Sequence, residues 1–73
     1  MSTYYIDGFT KLSNPSMEGG YTITDKNGNI LKRKFVKSSE GEPLITNNYT
    51  EFLALHYCLE SLAEYGDTIL TDS

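Results

Sequence analysis

The sequence predicts a small α/β (α+β) domain in the order β-β-β-α-β, with three antiparallel strands, a fourth strand parallel to the first, and one helix covering a face of the sheet. Three observations carry this. Runs rich in β-branched and aromatic residues open the chain, Asn27-Gly28 separates two of them, and from Thr46 the apolar spacing changes to three- and four-residue steps. At 73 residues and 8.2 kDa the chain holds one domain, residues 1–73. A chain of this size buries only about 60% of its unfolded surface, so stability is thin.

The first strand signal is Thr3-Tyr4-Tyr5-Ile6, carrying into Asp7-Gly8. Turn formers follow, from Lys11-Leu12-Ser13-Asn14-Pro15-Ser16 to Gly19-Gly20. A second strand, roughly Tyr21 to Asp25, meets a third, roughly Ile30 to Lys37, across Lys26-Asn27-Gly28-Asn29. Parity favours a three-residue loop, Lys26-Asn27-Gly28, with Gly28 left-handed. That loop pairs Ile23 with Leu31 and puts Phe35 on the same face, with Arg33 as an intruder; a two-residue loop pairs Ile23 with Lys32.

Ser38 to Leu44 reads as a polar connection. In the helix, Phe52, Leu55, Leu59 and Leu62 form one apolar stripe, with Thr46 or Asn47 capping the start and Gly66 ending it. Thr68-Ile69-Leu70-Thr71 is a last short strand running into Asp72. Cys58 reads as a small buried thiol packed with Ala54 and Leu62. Lys32-Arg33-Lys34 sits on an edge strand, where charge deters edge pairing.

Composition excludes several functions. The chain is 38% hydrophobic, 22% charged and 12% aromatic, which is a folding composition. No apolar run approaches the roughly 18 residues of a membrane span, so no membrane role is expected. Met1 to Asp7 lacks the features of a secretion signal, and a cytoplasmic location is the expectation. The single Cys58 excludes an internal disulfide and a cysteine-rich zinc site. Ten acids against six bases give a net charge of −4. A protein that grips nucleic acid by charge alone is basic, so a nucleic-acid role here requires cations that bridge acids to phosphates.

Topology brings three acids to one edge. With the first strand running up, two reversals leave the third strand up, the helix descends from the top, and the last strand rises parallel to the first by a right-handed crossover. Asp7 ends the first strand, Asp72 ends the last, and Glu51 lies in the first turns of the helix. Each has a plainer role open to it: a strand-end acid before glycine, a helix-dipole partner, a turn residue. Their convergence favours a site for a divalent cation such as Mg²⁺, which takes hard oxygen ligands.

Four segments in register resemble the ribonuclease H family, enzymes that cut the RNA strand of RNA–DNA hybrids. They are Tyr5-Ile6-Asp7-Gly8 with Asn14-Pro15 and Gly19-Gly20-Tyr21, then the following hairpin, then Thr46-Asn47-Asn48-Tyr49-Thr50-Glu51, and last Leu70-Thr71-Asp72-Ser73. The resemblance implies that Asp7, Glu51 and Asp72 are catalytic carboxylates binding two Mg²⁺ (or Mn²⁺) ions, giving 5′-phosphate and 3′-hydroxyl products. It further implies that Asn14, Asn47, Asn48 and Ser73 contact the hybrid, where neutral amides distinguish RNA by its 2′-hydroxyls. The family continues past its Thr-Asp-Ser with more helices, a fifth strand and a fourth aspartate, so the chain looks like a truncated, N-terminal half of the fold. Two readings follow. One is a hybrid-cleaving nuclease domain, weak or inactive as this chain. The other is a non-catalytic metal- or nucleic-acid-binding or oligomerisation module, with a homodimer or a complementing C-terminal half as partner.

Overall fold

The computed structural model describes residues 1–13, 16–38 and 45–71. Strands β1 (Thr3–Ser13), β2 (Ser16–Asp25) and β3 (Ile30–Ser38) lead to helix α1 (Asn47–Tyr57) and to strand β4 (Thr68–Thr71). They form a four-stranded sheet in the order β3-β2-β1-β4. β1 and β2 pair antiparallel, as do β2 and β3, while β4 lies parallel to β1. This mixed sheet with one helix on one face is the predicted architecture. No helix among the described residues is long and apolar enough to cross a membrane.

The first two strands are longer than expected. Pairing continues unbroken from Tyr4 with Asp25 to Ser13 with Ser16, so Lys11 to Ser13 and Gly19-Gly20 are strand rather than loop. The glycines sit inside β2 because neighbours crowd them. A Cβ at Gly19 would meet the Phe9 carbonyl oxygen at 2.6 Å and Ile45 Cγ2 at 3.0 Å. Asn14 lies outside the described residues.

The β2–β3 turn carries the expected three-residue loop, with Gly28 at φ +87°. Asp25 holds it: its carboxylate accepts from the backbone N–H groups of Asn27 (2.8 Å) and Asn29 (3.0 Å) and from Asn29 Nδ2 (3.0 Å). Beyond the turn the expected register fails. Thr24 pairs with Ile30 but Ile23 pairs with Lys32, so Leu31 is a bulge. The extra residue flips every later side chain of β3 to the other face. Lys32, Lys34 and Val36 therefore share the helix side with Ile23, while Arg33 and Phe35 stand on the uncovered face. Lys32 is accommodated because its ammonium lies 4.9 Å from the centre of the Tyr57 ring.

Thr46 caps α1, its hydroxyl accepting from Tyr49 N–H at 3.1 Å. The buried line of the helix is Thr50, Ala54 and Cys58, not the predicted stripe; Phe52 is 63% exposed and Leu59 58% exposed. Small residues face inward because α1 lies close on the sheet, over Gly8 and Gly19. The core joins Ile6, Tyr21 and Ile23 from the sheet to Ala54 and Cys58 from the helix side, with Leu53, Tyr57 and Leu62 packed around it. Burial raises the Cys58 thiol above its ordinary pKa.

After Tyr57 the chain widens into a π-type turn, Cys58–Leu62, closed by Ala63 N–H on the Cys58 carbonyl at 2.7 Å. Ala63 leaves in extended conformation, so the helical run ends there and not at Gly66, whose φ of +92° serves the following turn instead. Asp67 then ties that turn to the N-terminus: it accepts from Glu64 N–H and Ser2 N–H, each at 2.8 Å, and Thr68 N–H bonds the Ser2 carbonyl at 2.9 Å. These bonds seat β4 beside β1.

Candidate carboxylate site on the first strand

Alternation along β1 decides where each candidate acid points. Ile6 is buried and Gly8 faces α1, so the exposed Asp7 between them projects from the face away from the helix. There it lines a shallow hollow of about 860 Å³ together with Tyr5, Thr22, Thr24, Arg33 and Leu70.

Glu51 reaches the same stretch of β1 from the other side. A Cβ at Gly8 would collide with Thr50 Oγ1 and would meet Glu51 N at 2.9 Å and Glu51 Cγ at 3.0 Å. Only a residue without a side chain permits that approach. Asp7 and Glu51 are therefore placed at adjacent positions along one strand, one on each face.

The helix start is fixed by two further bonds. Thr10 Oγ1 donates to Asn47 Oδ1 at 3.0 Å, and the buried Thr50 donates its hydroxyl to the Asn47 carbonyl at 2.9 Å. With its side-chain oxygen engaged, Asn47 keeps its NH₂ group as donor. Asn47 and Asn48 are both exposed. β4 runs in register from Thr3 with Thr68 to Ile6 with Thr71. Asp72 and Ser73, which follow in sequence, lie outside the described residues.

Among the described residues, the ion pair is Lys37 with Glu18 at 3.7 Å, so neither Asp7 nor Glu51 has a cationic partner there. No group of three or more His, Cys, Asp or Glu side chains is assembled among those residues. Of the three expected carboxylates, Asp7 stands on β1 and Glu51 of α1 packs on the adjacent Gly8 from the opposite face, while Asp72 lies outside the described residues. Sequence reasoning missed two neighbours, Thr10 and Arg33. Alternation from Gly8 would have put Thr10 toward the helix, whereas Arg33 depends on a bulge that parity alone does not reveal.

No protein-family model matches the sequence, and no curated protein matches it. Solved structures do. LC11-RNase H1 in complex with an RNA/DNA hybrid superposes on the whole chain with 26% identity and a TM-score of 0.55. The fold is ribonuclease H-like. A second structure of LC11-RNase H1, isolated from compost by a metagenomic approach, matches 99% of the chain with 31% identity and a TM-score of 0.53. The ribonuclease H-like chain spans about half the length of these neighbours, 55% and 54%.

Proposed function

We propose that this ribonuclease H-like chain is a nuclease module for RNA–DNA hybrids, with Asp7, Glu51 and Asp72 as its metal-binding and catalytic carboxylates. The observation that carries the reading is the packing of Glu51 over Gly8, next to Asp7, within a fold shared along the whole chain with a hybrid-bound ribonuclease H1.

The donor set suits Mg²⁺ or Mn²⁺. Asp7 and Glu51 supply hard carboxylate oxygens, are at least partly accessible, and have no ion pair among the described residues. When bound, a divalent cation there neutralises charge at the scissile phosphate and lowers the pKa of water. The chain's own residues do the rest. In this reading Asp7 on β1 and Glu51, which packs on the neighbouring Gly8, hold the cation with Asp72 as the third carboxylate. Asn47, oriented by Thr10, offers amide donors to the minor groove beside Asn48, with Asn14 and Ser73 as further contacts.

A second reading concerns partners. The uncovered face of the sheet exposes Phe35 (69%), Tyr5 (43%) and Leu70 (43%). Large apolar side chains exposed on one face favour a covering partner, either a second copy or a complementing C-terminal half that would bring further site residues.

The test is binding to an RNA–DNA hybrid and to a DNA duplex of the same sequence, with Mg²⁺ present. Tighter binding to the hybrid, weakened by Asn47→Ala, supports the assignment. Equal affinity for both duplexes contradicts it.

A further inference from the structure

Five of the six Lys and Arg residues lie between positions 26 and 37, a stretch that holds no acid. The fold turns this run into a cationic edge, because β3 is the outermost strand and two strands away from β1. Lys37 is paired with Glu18, while Lys26, Lys32, Arg33 and Lys34 have no carboxylate partner among the described residues. In a chain of net charge −4, segregation of this kind makes a local field of opposite sign to the whole.

Aromatic rings stand beside this edge. Between β3 and α1 runs a groove of about 380 Å³, whose lining includes Lys34, Tyr49, His56, Tyr57 and Glu60. Tyr49 is 48% exposed, and the exposed His56 ring stacks on Phe52 at 6.3 Å and 17°. Lys32 is held over Tyr57 on the same side. The volume falls within the range of small-ligand sites, roughly 300–1,000 Å³.

We propose that the β3–α1 groove binds single-stranded nucleic acid, Lys34 in its wall and Lys32 beside Tyr57 following the phosphates and Tyr49 with His56 giving bases a stacking surface. Cations beside exposed rings are what a flexible strand uses, since every base has a π-face and every linkage a charge. The bulge at Leu31 makes the surface possible, for it turns Lys32 and Lys34 toward the helix rings. The groove needs no divalent cation, and neither Asp7 nor Glu51 lines it.

The experiment is fluorescence anisotropy of a labelled oligothymidylate with the whole chain, in EDTA, over a range of salt. The wild type binds with a salt-dependent affinity. Tyr49→Ala weakens it about fivefold or more, the loss of one stacked base. Lys34→Glu reduces the log–log salt slope by roughly one. Lys26→Glu, in the hairpin loop, is the control and changes affinity less than Lys34→Glu. Thermal melts confirm that the variants fold; both tested side chains are exposed. No binding in EDTA, or binding indifferent to Tyr49→Ala and equally sensitive to both lysine variants, overturns the proposal. So does equal binding of a duplex of the same length with no effect of Tyr49→Ala. Because the assay omits hybrid and metal, its failure leaves the carboxylate site standing.

Discussion

Glu51 packs directly over Gly8: a side chain added to the strand at that point would stand 2.9 Å from the Glu51 backbone nitrogen. One glycine thereby sets the height of α1 above the sheet and delivers a helix carboxylate to the strand residue beside Asp7. Gly8→Ala should destabilise the chain by about 1–3 kcal/mol through overpacking, since backbone on both sides must move. Gly28→Ala makes a useful comparison. No atom lies within 4 Å of a Cβ there, so its cost is that of the positive φ alone, about 1–2 kcal/mol. Urea denaturation measures both, and only Gly8→Ala should also displace the amide signals of Thr50 and Glu51.

Acid should loosen β4 through Asp67. The N–H of Glu64 first, and that of Ser2 second, hold its pKa below the ordinary carboxylate value. A depressed folded-state pKa contributes stability that is present above the unfolded value near 4 and is lost as pH falls through the folded value. Asp67→Asn should therefore lower the melting temperature at pH 7, and the deficit should shrink in strong acid, where the wild-type carboxyl is protonated too. A deficit independent of pH would mean that the charge does not matter.

How much of this was legible in sequence differs by element. The hairpin loop and the Thr46 cap follow from local chemistry, which sequence displays, and the strand order follows from two chain reversals and the right-handed crossover that seats β4 beside β1. The register of β3 follows from neither, because the Leu31 bulge turns Lys32 toward Tyr57, a contact between residues 25 positions apart in the chain. The inward line of α1 was misread for a similar reason. Periodicity weighted Phe52 and Leu59 by size, whereas the glycine-lined sheet surface selects the small Thr50, Ala54 and Cys58. The sequence puts Asp7 at the end of β1, but the strand runs on to Ser13; Asp7 therefore stands mid-strand, on the face opposite the one against which Glu51 of α1 packs.

Cys58 is fully buried, and burial raises its thiol pKa. Both effects suppress the thiolate. Modification by a thiol reagent should be slow in the native state and should accelerate with urea in step with global unfolding. Fast, stoichiometric labelling in native buffer would show that the helix–sheet interface opens locally.

Neutralising Asp7 should separate stability from function. In metal-free buffer Asp7→Asn removes an exposed charge that has no ion pair among the described residues, and the variant should match wild-type stability to within about 0.5 kcal/mol. In Mg²⁺ the wild type alone should gain stability, because only a folded site collects the ligands. Activity of the isolated chain on hybrid should be weak or absent, since in-line attack needs both ions positioned; brisk turnover abolished by Asp7→Asn would show that this chain assembles a complete site.

The central claim is that Asp7 and Glu51, with Asp72, form one divalent-cation site. Titration of the ¹⁵N-labelled chain with substoichiometric Mn²⁺ tests it most directly, because paramagnetic broadening reports proximity to the ion. The amide signals of Asp7, Gly8, Glu51 and Asp72 should broaden first and together, and Asp7→Asn should abolish the effect. Broadening spread evenly over all ten acids, or centred on Asp25 or Asp67 and unchanged by Asp7→Asn, would contradict the site.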